Sequence, residues 1–205
     1  MNARTIKRIV IGLCVASGTA LILALYLPGL RPRPQHNTVP TGEAAIGGAF
    51  TLTDAKGNAV TQDILKGHYS LVYFGFTNCP DICPLTLANM TEALQIAGPV
   101  ADSVVPVFIT IDPERDTPEV MGQYVANFHP RFVALTGTAE QVEQASKDYR
   151  VYAAKQNAAA PGEYSMAHSD FIFLMNPDGR YTAHFRRDAT PLDIVNRLRR
   201  ELGPQ

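Results

Sequence analysis

Apolar and polar residues follow two different periods along most of this chain. Continuous apolar runs over residues 70–76 and 104–111 predict short strands that are buried on both faces of a sheet. Apolar residues at helical spacing predict helices over 85–96, 117–128 and 138–149. Threonine N-caps precede the second and third of these helices, which fixes where they begin. The central part of the chain therefore alternates strand and helix.

The elements at the two ends of this region predict antiparallel pairing. Turn-forming residues 54–58 separate two short strands and predict a small N-terminal β-hairpin. Near the C-terminus, a strand over 171–175, a turn and a strand over 180–185 predict a second hairpin, and 190–202 predict a last amphipathic helix. A further short strand is predicted over 151–153. This order predicts an α/β domain with a mixed central sheet and helices on both faces.

The N-terminal region predicts a membrane anchor. Residues 9–27 contain no charge and are long enough to cross a bilayer as one helix. A cleaved secretory signal is the alternative, but its apolar region is usually shorter and ends in a small-x-small site, which is absent after residue 27. We therefore predict an uncleaved signal anchor over 9–27, a cytoplasmic tail over 1–8, a Pro-rich linker over 28–45 and a domain over 46–205.

This topology places the domain outside the cytoplasm. Arg4, Lys7 and Arg8 lie before the apolar run and favour a cytoplasmic N-terminus, although Arg31 and Arg33 follow the run. The expected location is the inner membrane, with the C-terminal domain in the periplasm, where thiols can be oxidised. In a eukaryote, it would be the mitochondrial inner membrane, with the domain facing the intermembrane space.

Charge and cysteine content exclude several classes of protein. The net charge is −1, and without the three basic residues before the apolar run 15 basic residues remain against 19 acidic ones. A body with this balance has no general affinity for phosphate backbones, so we expect no nucleic-acid partner. Three cysteines in 205 residues exclude a disulfide scaffold, and Cys14 lies inside the predicted anchor.

The two remaining cysteines lie where a buried strand is predicted to lead into a helix. Cys79 and Cys83 are separated by three residues at this turn. Unpaired N–H groups and the helix dipole favour thiolates there. Two such cysteines can form a redox-active disulfide or bind a soft metal such as Cu(I). A purely structural disulfide is the third interpretation. The C-x-x-x-C spacing leaves more room for an ion than C-x-x-C.

A third metal ligand is expected from a loop that precedes a later strand. Residues 161–170 predict this loop, and it contains His168. Met166 also has a sulfur atom, but methionine more often fills gaps in a core. Asp112 and Asp116 follow the second buried strand and form either an acidic rim near the site or caps and turns of the next helix.

Three motifs together resemble the SCO/SenC family of copper-binding, thioredoxin-like proteins. They are YFGFTNCPDICP at 73–84, IDPERDTP at 111–118, and His168 ahead of LMNPDG at 174–179. The resemblance implies a thioredoxin-like fold with an N-terminal hairpin and one transmembrane helix. It also implies that copper, as Cu(I), Cu(II) or both, binds Cys79, Cys83 and His168.

The resemblance further implies a role in assembling cytochrome c oxidase. The expected function is that of a copper metallochaperone, not an enzyme, that delivers copper to the dinuclear copper site of the oxidase. The expected partners are the copper-site subunit and other copper chaperones or thiol reductants, with no small-molecule substrate. The alternative is a thiol-disulfide oxidoreductase that keeps the oxidase cysteines reduced.

Two positions depart from the pattern of that family. Ala167 stands where an Asp commonly precedes the histidine, and Asn78 stands where a His is frequent. Loss of the acidic neighbour removes a partner for the metal ligand, so we expect an effect on copper affinity or on the preferred oxidation state.

Overall fold

The computed structural model describes residues 46–157 and 164–203. The predicted tail, anchor and linker lie outside the described residues. Within those residues, no helix combines the length and the apolar character that crossing a membrane requires.

The described part of the chain forms strands and helices in an order close to the prediction. The strands are β1 (Thr51–Asp54), β2 (Ala59–Thr61), β3 (Tyr69–Gly75), β4 (Val104–Thr110), β5 (Val133–Thr136), β6 (Ala153–Asn157), β7 (Tyr164–His168), β8 (Phe171–Met175) and β9 (Tyr181–Arg186). The α-helices are α1 (Ile82–Ala97), α2 (Pro118–Val125), α3 (Ala139–Asp148) and α4 (Pro191–Leu202), with 3₁₀ turns at Gln62–Leu65 and Gly98–Ser103.

Seven strands form one mixed sheet in the order β2-β1-β5-β4-β3-β8-β9. The three central strands β5, β4 and β3 are parallel, and the two strands at each end are antiparallel to their neighbours. The parallel strands β3 and β4 are buried along almost their whole length, as their continuous apolar runs predict. The predicted α/β class and N-terminal hairpin are confirmed.

Helices cover both faces of this sheet. Successive side chains of a strand point to opposite faces. Tyr73 of β3 reaches Cys83 at the start of α1, whereas the next residue, Phe74, packs on Tyr149 at the end of α3. On the first face α1 packs against α4. The strand β3 is therefore the centre of the domain, and its carboxyl end leads directly into the cysteine turn.

The helix boundaries follow from local capping. Thr117, Thr138 and Thr190 each accept a backbone hydrogen bond at the start of α2, α3 and α4, and the last two form complete capping boxes. Helix α1 is different, because its N-cap residue Asp81 makes no side-chain capping hydrogen bond. The first turn of α1 is left open to other acceptors.

Three elements differ from the sequence prediction. The short strand predicted over 151–153 lies instead at Ala153–Asn157, as β6. The strand β5 was not predicted, because its four residues are too short for a clear period. The stretch predicted as a loop over 161–170 instead contains β7, which pairs with β6 in a separate two-stranded sheet. The prediction that His168 lies in a loop is therefore wrong, since it is the last residue of β7. Strands outside the main core lack the apolar signature by which strands are recognised.

Candidate metal centre

The cysteine turn joins the carboxyl end of β3 to the first turn of α1. Cys79 precedes the helix and is partly exposed, whereas Cys83 lies inside the first turn and is buried. The backbone N–H of Cys83 donates to Cys79 Sγ at 3.3 Å. The Cys79 sulfur thus takes the place of the missing N-cap acceptor and sits in the field of the helix N-terminus.

The two sulfur atoms have opposite electrostatic environments. A hydrogen bond from the Cys83 side chain, helped by His168 and by backbone N–H groups, outweighs burial and lowers the pKa of Cys79 from 9.0 to about 3. The hydrogen bond to Cys79, followed by burial, raises the pKa of Cys83 above its ordinary value. Cys79 is therefore the thiolate of the pair, and Cys83 is its proton-bearing partner.

Gly75 makes room for the buried cysteine. A Cβ atom at this position would lie 2.9 Å from Cys83 Sγ and 2.9 Å from a ring carbon of Phe108. Real Cβ atoms do not approach so closely, so the residue before the cysteine turn must be glycine for Cys83 to lie against the sheet.

His168 is brought to the cysteine turn from the end of β7. Its Nδ1 lies 2.9 Å from the backbone oxygen of Ser169, which as the acceptor fixes the proton on Nδ1. Its Nε2 is then the free nitrogen and lies 3.7 Å from Cys83 Sγ. The imidazole packs edge-on against Phe76 and Tyr73. The structure thus places the predicted histidine beside the predicted cysteines.

The protonation of His168 reflects competing effects. Burial lowers the pKa of His168, but a hydrogen bond with Cys79, the Ser169 carbonyl and nearby negative charge outweigh it, so the pKa is raised. These contacts favour the protonated form of the imidazole, so a metal ion that binds Nε2 competes with a proton there. The pair of Cys79 and His168 resembles the thiolate–imidazolium pairs of activated cysteines.

The three side chains are adjacent but do not yet surround one point. In the part of the chain that the structure describes, no group of three or more His, Cys, Asp and Glu side chains is arranged as a complete metal site. Binding of one ion by Cys79, Cys83 and His168 together requires these side chains to move closer. Thiolate and imidazole donors suit a soft ion and do not suit magnesium or calcium.

Two residues that the sequence did not single out complete the surroundings of the site. The Tyr73 hydroxyl donates to Cys83 Sγ at 3.7 Å, and the negative charge of Asp170 also acts on this hydroxyl. Asp170 is half-buried, two residues after His168, and its charge acts on the histidine. An acidic side chain thus lies close to the histidine, on the opposite side in sequence from Ala167.

The loop before the cysteines is anchored by a buried carboxylate. Asp116 is fully buried and accepts hydrogen bonds from the backbone N–H of Thr77 at 3.1 Å and from its hydroxyl at 2.5 Å. The Thr110 hydroxyl donates to the same carboxylate at 2.6 Å. Burial outweighs these hydrogen bonds and raises the pKa of Asp116. Asp112 is also buried, so neither carboxylate forms an acidic rim, and of the two predicted alternatives a role in the turn before α2 is the one that fits.

The fold and the dithiol turn together define the class of protein. A mixed sheet with helices on both faces, and a pair of cysteines at the junction of a central strand and the following helix, characterise a thioredoxin-like protein. His168, which approaches the two cysteines from the separate β6–β7 sheet, is a feature beyond this thioredoxin-like arrangement.

Comparisons with known proteins identify the family. Residues 38–203 match the model of the SCO1/SenC family, and this chain belongs to that family. An SCO2-like protein of Rickettsia felis is 40% identical over 202 residues, which cover 97% of this chain and 98% of that protein.

Solved structures of the family have the same fold. The structure of Bradyrhizobium japonicum ScoI with copper bound is 43% identical, has a TM-score of 0.70 and covers 76% of this chain and 99% of that chain. The structure of BsSco, described as a member of the Sco family of cytochrome c oxidase assembly proteins with a disulfide switch, is 26% identical. Its TM-score is 0.61, and it covers 77% of this chain and 94% of that chain.

Proposed function

We propose that this protein is a membrane-anchored copper metallochaperone that binds copper through Cys79, Cys83 and His168. The copper is delivered to the dinuclear copper site of cytochrome c oxidase. The observation that carries the proposal is the 3.7 Å approach of His168 Nε2 to Cys83 Sγ, beside a thiolate at Cys79. Copper is the cargo of the protein, and two sulfur donors with one imidazole match its ligand preference in both common oxidation states.

The position of the donors suits transfer of an ion. Cys79 is partly exposed, whereas Cys83 is buried. An incoming cysteine of the acceptor subunit can therefore reach the ion from the side of Cys79 and displace the ligands one at a time. A copper-bound relative supports this assignment, because that structure covers three quarters of this chain at 43% identity.

Copper titration of the reduced full-length protein in detergent tests the ligand set. We expect one equivalent of Cu(II) to produce thiolate-to-copper charge-transfer absorption, and Cu(I) to be retained against a colorimetric chelator. His168→Ala should weaken both signals, since it removes the only nitrogen donor of the set. His184→Ala is the matched control, because His184 lies on β9 and contacts Tyr181 and Phe171 instead of the cysteines. Equal copper binding by His168→Ala and the control would contradict the proposal.

Delivery is tested separately from binding. The copper-site subunit of the oxidase is the expected acceptor, and transfer is measured as the appearance of its dinuclear copper spectrum on mixing with the loaded protein. Cys79→Ser and Cys83→Ser should each abolish this transfer. If copper loading of the acceptor were unaffected by both substitutions, the metallochaperone proposal would fail.

The second candidate function is a thiol-disulfide oxidoreductase. The lowered pKa of Cys79 favours it, because a partly exposed thiolate next to a buried thiol is the arrangement of an attacking and a resolving cysteine. In this reaction Cys79 attacks a disulfide of the partner and releases one partner thiolate. Cys83 then attacks the mixed disulfide, which leaves the partner reduced and this protein oxidised, and an external thiol reductant regenerates it.

His168→Ala distinguishes the two functions. A copper chaperone loses copper retention with this substitution, whereas a reductase keeps its dithiol and its disulfide-reducing activity. Reduction of the acceptor disulfide by His168→Ala at the wild-type rate, with oxidase assembly intact, would favour the oxidoreductase.

We also propose that residues 9–27 anchor the domain in the inner membrane, with the domain on the periplasmic side. The support is the uncharged run of 19 residues and the three basic residues before it. Protease treatment of spheroplasts tests this topology. The domain should be cleaved without permeabilising the membrane, and full protection would place it in the cytoplasm.

A further inference from the structure

The strand pair that carries His168 is separate from the main sheet. Strands β6 and β7 pair with each other, Ala153 opposite His168 and Lys155 opposite Met166, in a two-stranded sheet of their own. A two-stranded pair is marginally stable by itself in water. Its position over the cysteine turn therefore depends on what fastens it to the rest of the domain.

One end of the pair is fastened through the chain itself. His168 is followed after two residues by β8, which pairs with β3 in the main sheet. The Ser169 N–H donates to the Tyr152 carbonyl at 3.0 Å, and the Tyr152 N–H donates to Ser169 Oγ at 3.1 Å. These contacts hold the end of the β6–β7 pair next to His168. They do not fix the direction in which the pair extends across the cysteine turn.

The other end is fastened by a cluster around Tyr164, the first residue of β7. The Tyr164 hydroxyl donates to Asp112 Oδ1 at 2.7 Å, and its carbonyl accepts from Arg115 Nη1 at 3.0 Å. The Arg115 guanidinium also lies over the Tyr164 ring, 3.8 Å from its centre. Arg115 Nε in turn donates to Asp112 Oδ2 at 2.5 Å. We call these three residues the Tyr164 clamp.

The clamp is stronger than the neighbouring ion pair. Asp112 is only 1% exposed, so its carboxylate has both oxygens engaged away from water. Hydrogen bonds to a buried charged group contribute more than those between neutral groups. The nearby pair of Lys155 and Glu114 is 2.6 Å long, but both side chains are about half exposed, and such pairs contribute little.

We propose that Tyr164 is a positioning residue for His168, held in place by Asp112 and Arg115. The proposal rests on the proposed function, in which His168 is a copper ligand. The clamp connects the loop after β4 to the far end of β7, four residues from the histidine. Without it, the β6–β7 pair keeps the attachment next to His168, the packing of Met166 on the core and the exposed Lys155–Glu114 ion pair. It loses its buried polar attachment at the far end, and the imidazole spends less time beside Cys83.

Hydrogen exchange on the metal-free full-length protein tests the structural part. Tyr164→Ala should increase the exchange rates of amides in Ala153–Asn157 and Tyr164–His168 by about 10–100-fold, while β3 amides keep the wild-type rate. Tyr164→Phe keeps the ring under Arg115 and should give a smaller increase. Tyr152→Ala is the matched control, because this tyrosine flanks the same strand pair but is 64% exposed. Unchanged exchange in Tyr164→Ala would overturn the proposal.

Copper affinity in a double-mutant cycle tests the functional part. Tyr164→Ala should lower Cu(I) retention against a chelator by about 10–100-fold in the wild-type background and have no further effect in His168→Ala. An equal loss in both backgrounds, or no loss in either, would overturn the positioning role.

If His168→Ala alone left copper affinity unchanged, the proposed ligand set would fail, and this role with it. Hydrogen exchange distinguishes failure of the ligand set from failure of the clamp, because in the first case the amides of β6 and β7 would still exchange faster in Tyr164→Ala.

Discussion

The Nε2 atom of His168 lies 3.7 Å from Cys83 Sγ, although the two residues are 85 positions apart in the chain. Cys83 is placed by the junction of β3 and α1, and His168 by a strand pair outside the main sheet. The three side chains therefore come from two separate parts of the fold, the junction of β3 and α1 and the β6–β7 pair. The contacts between these two parts determine how close the imidazole lies to the cysteines.

The reactivity of Cys79 should be almost independent of pH. Because its thiol has a pKa of about 3, it is already ionised at neutral and mildly acidic pH. The alkylation rate of Cys79 by iodoacetamide should thus stay flat between about pH 5 and 8, whereas an ordinary cysteine gains roughly tenfold per pH unit in this range. Peptide mapping by mass spectrometry measures the rate on the reduced, metal-free protein.

Cys83 provides the comparison within the same experiment. It is buried and its pKa is raised, so it should remain unlabelled over the whole range. The Cys79→Ser variant is the control that assigns the label. A Cys79 rate that rises tenfold per pH unit would contradict the electrostatic description of the pair.

Gly75→Ala should destabilise the domain and displace Cys83. The new methyl group would lie 2.9 Å from Cys83 Sγ and 2.9 Å from a ring carbon of Phe108. Both side chains are fully buried, so they have no free space into which to move. We expect a loss of about 1–3 kcal/mol in the free energy of unfolding, measured by urea denaturation, and a weaker copper signal. Ser70→Ala on the same strand is the control, because its buried hydroxyl has no hydrogen-bond partner. Equal stability of Gly75→Ala and wild type would contradict the packing argument.

Asp116→Asn should destabilise the protein, because the amide cannot accept all three hydrogen bonds from Thr77 and Thr110. The loss should also depend on pH. Since the pKa of Asp116 is higher in the folded state than its ordinary 3.8, the carboxyl group contributes most stability below that value. Its contribution decreases as the pH rises through the folded pKa. The gap in unfolding free energy between wild type and Asp116→Asn should therefore narrow with rising pH.

Urea denaturation of both proteins at a series of pH values measures this gap. Thr136→Val is a useful control, because its hydroxyl donates to the Asp116 carbonyl and does not touch the carboxylate. The difference in unfolding free energy between Thr136→Val and wild type should not change with pH. A gap for Asp116→Asn that widened with rising pH would show that the carboxylate stabilises the folded state.

The parts of the fold that could be predicted are those with a local signal. The buried runs of β3 and β4, the threonine caps and the cysteine turn each depend on neighbouring residues, and the structure agrees with them. The strand β7 has no such signal, because its side chains lie at the edge of the core and alternate weakly. The prediction of a loop around His168 failed for this reason, although the structure does bring this residue to the cysteine turn.

The contacts around the site could not be predicted, because they join distant segments. Asp112 and Asp116 were singled out, but their burial depends on partners such as Tyr164, 52 residues away, and Thr77, 39 residues away. Asp170 and Tyr73 gave no signal in the sequence, since a carboxylate next to a strand and a tyrosine in an apolar run are ordinary. Only the fold brings them to the cysteines and His168.

Tyr73→Phe should separate the role of the tyrosine hydroxyl from that of the ring. The hydroxyl donates to Cys83 Sγ, and both side chains are fully buried. Removing the hydroxyl removes this buried hydrogen bond, so we expect a loss of about 0.5–1.5 kcal/mol in unfolding free energy. The ring packing on Phe108 is kept. Tyr152→Phe, at a largely exposed position, should be neutral. Equal unfolding free energies for Tyr73→Phe and Tyr152→Phe would mean that the hydroxyl does not support the site.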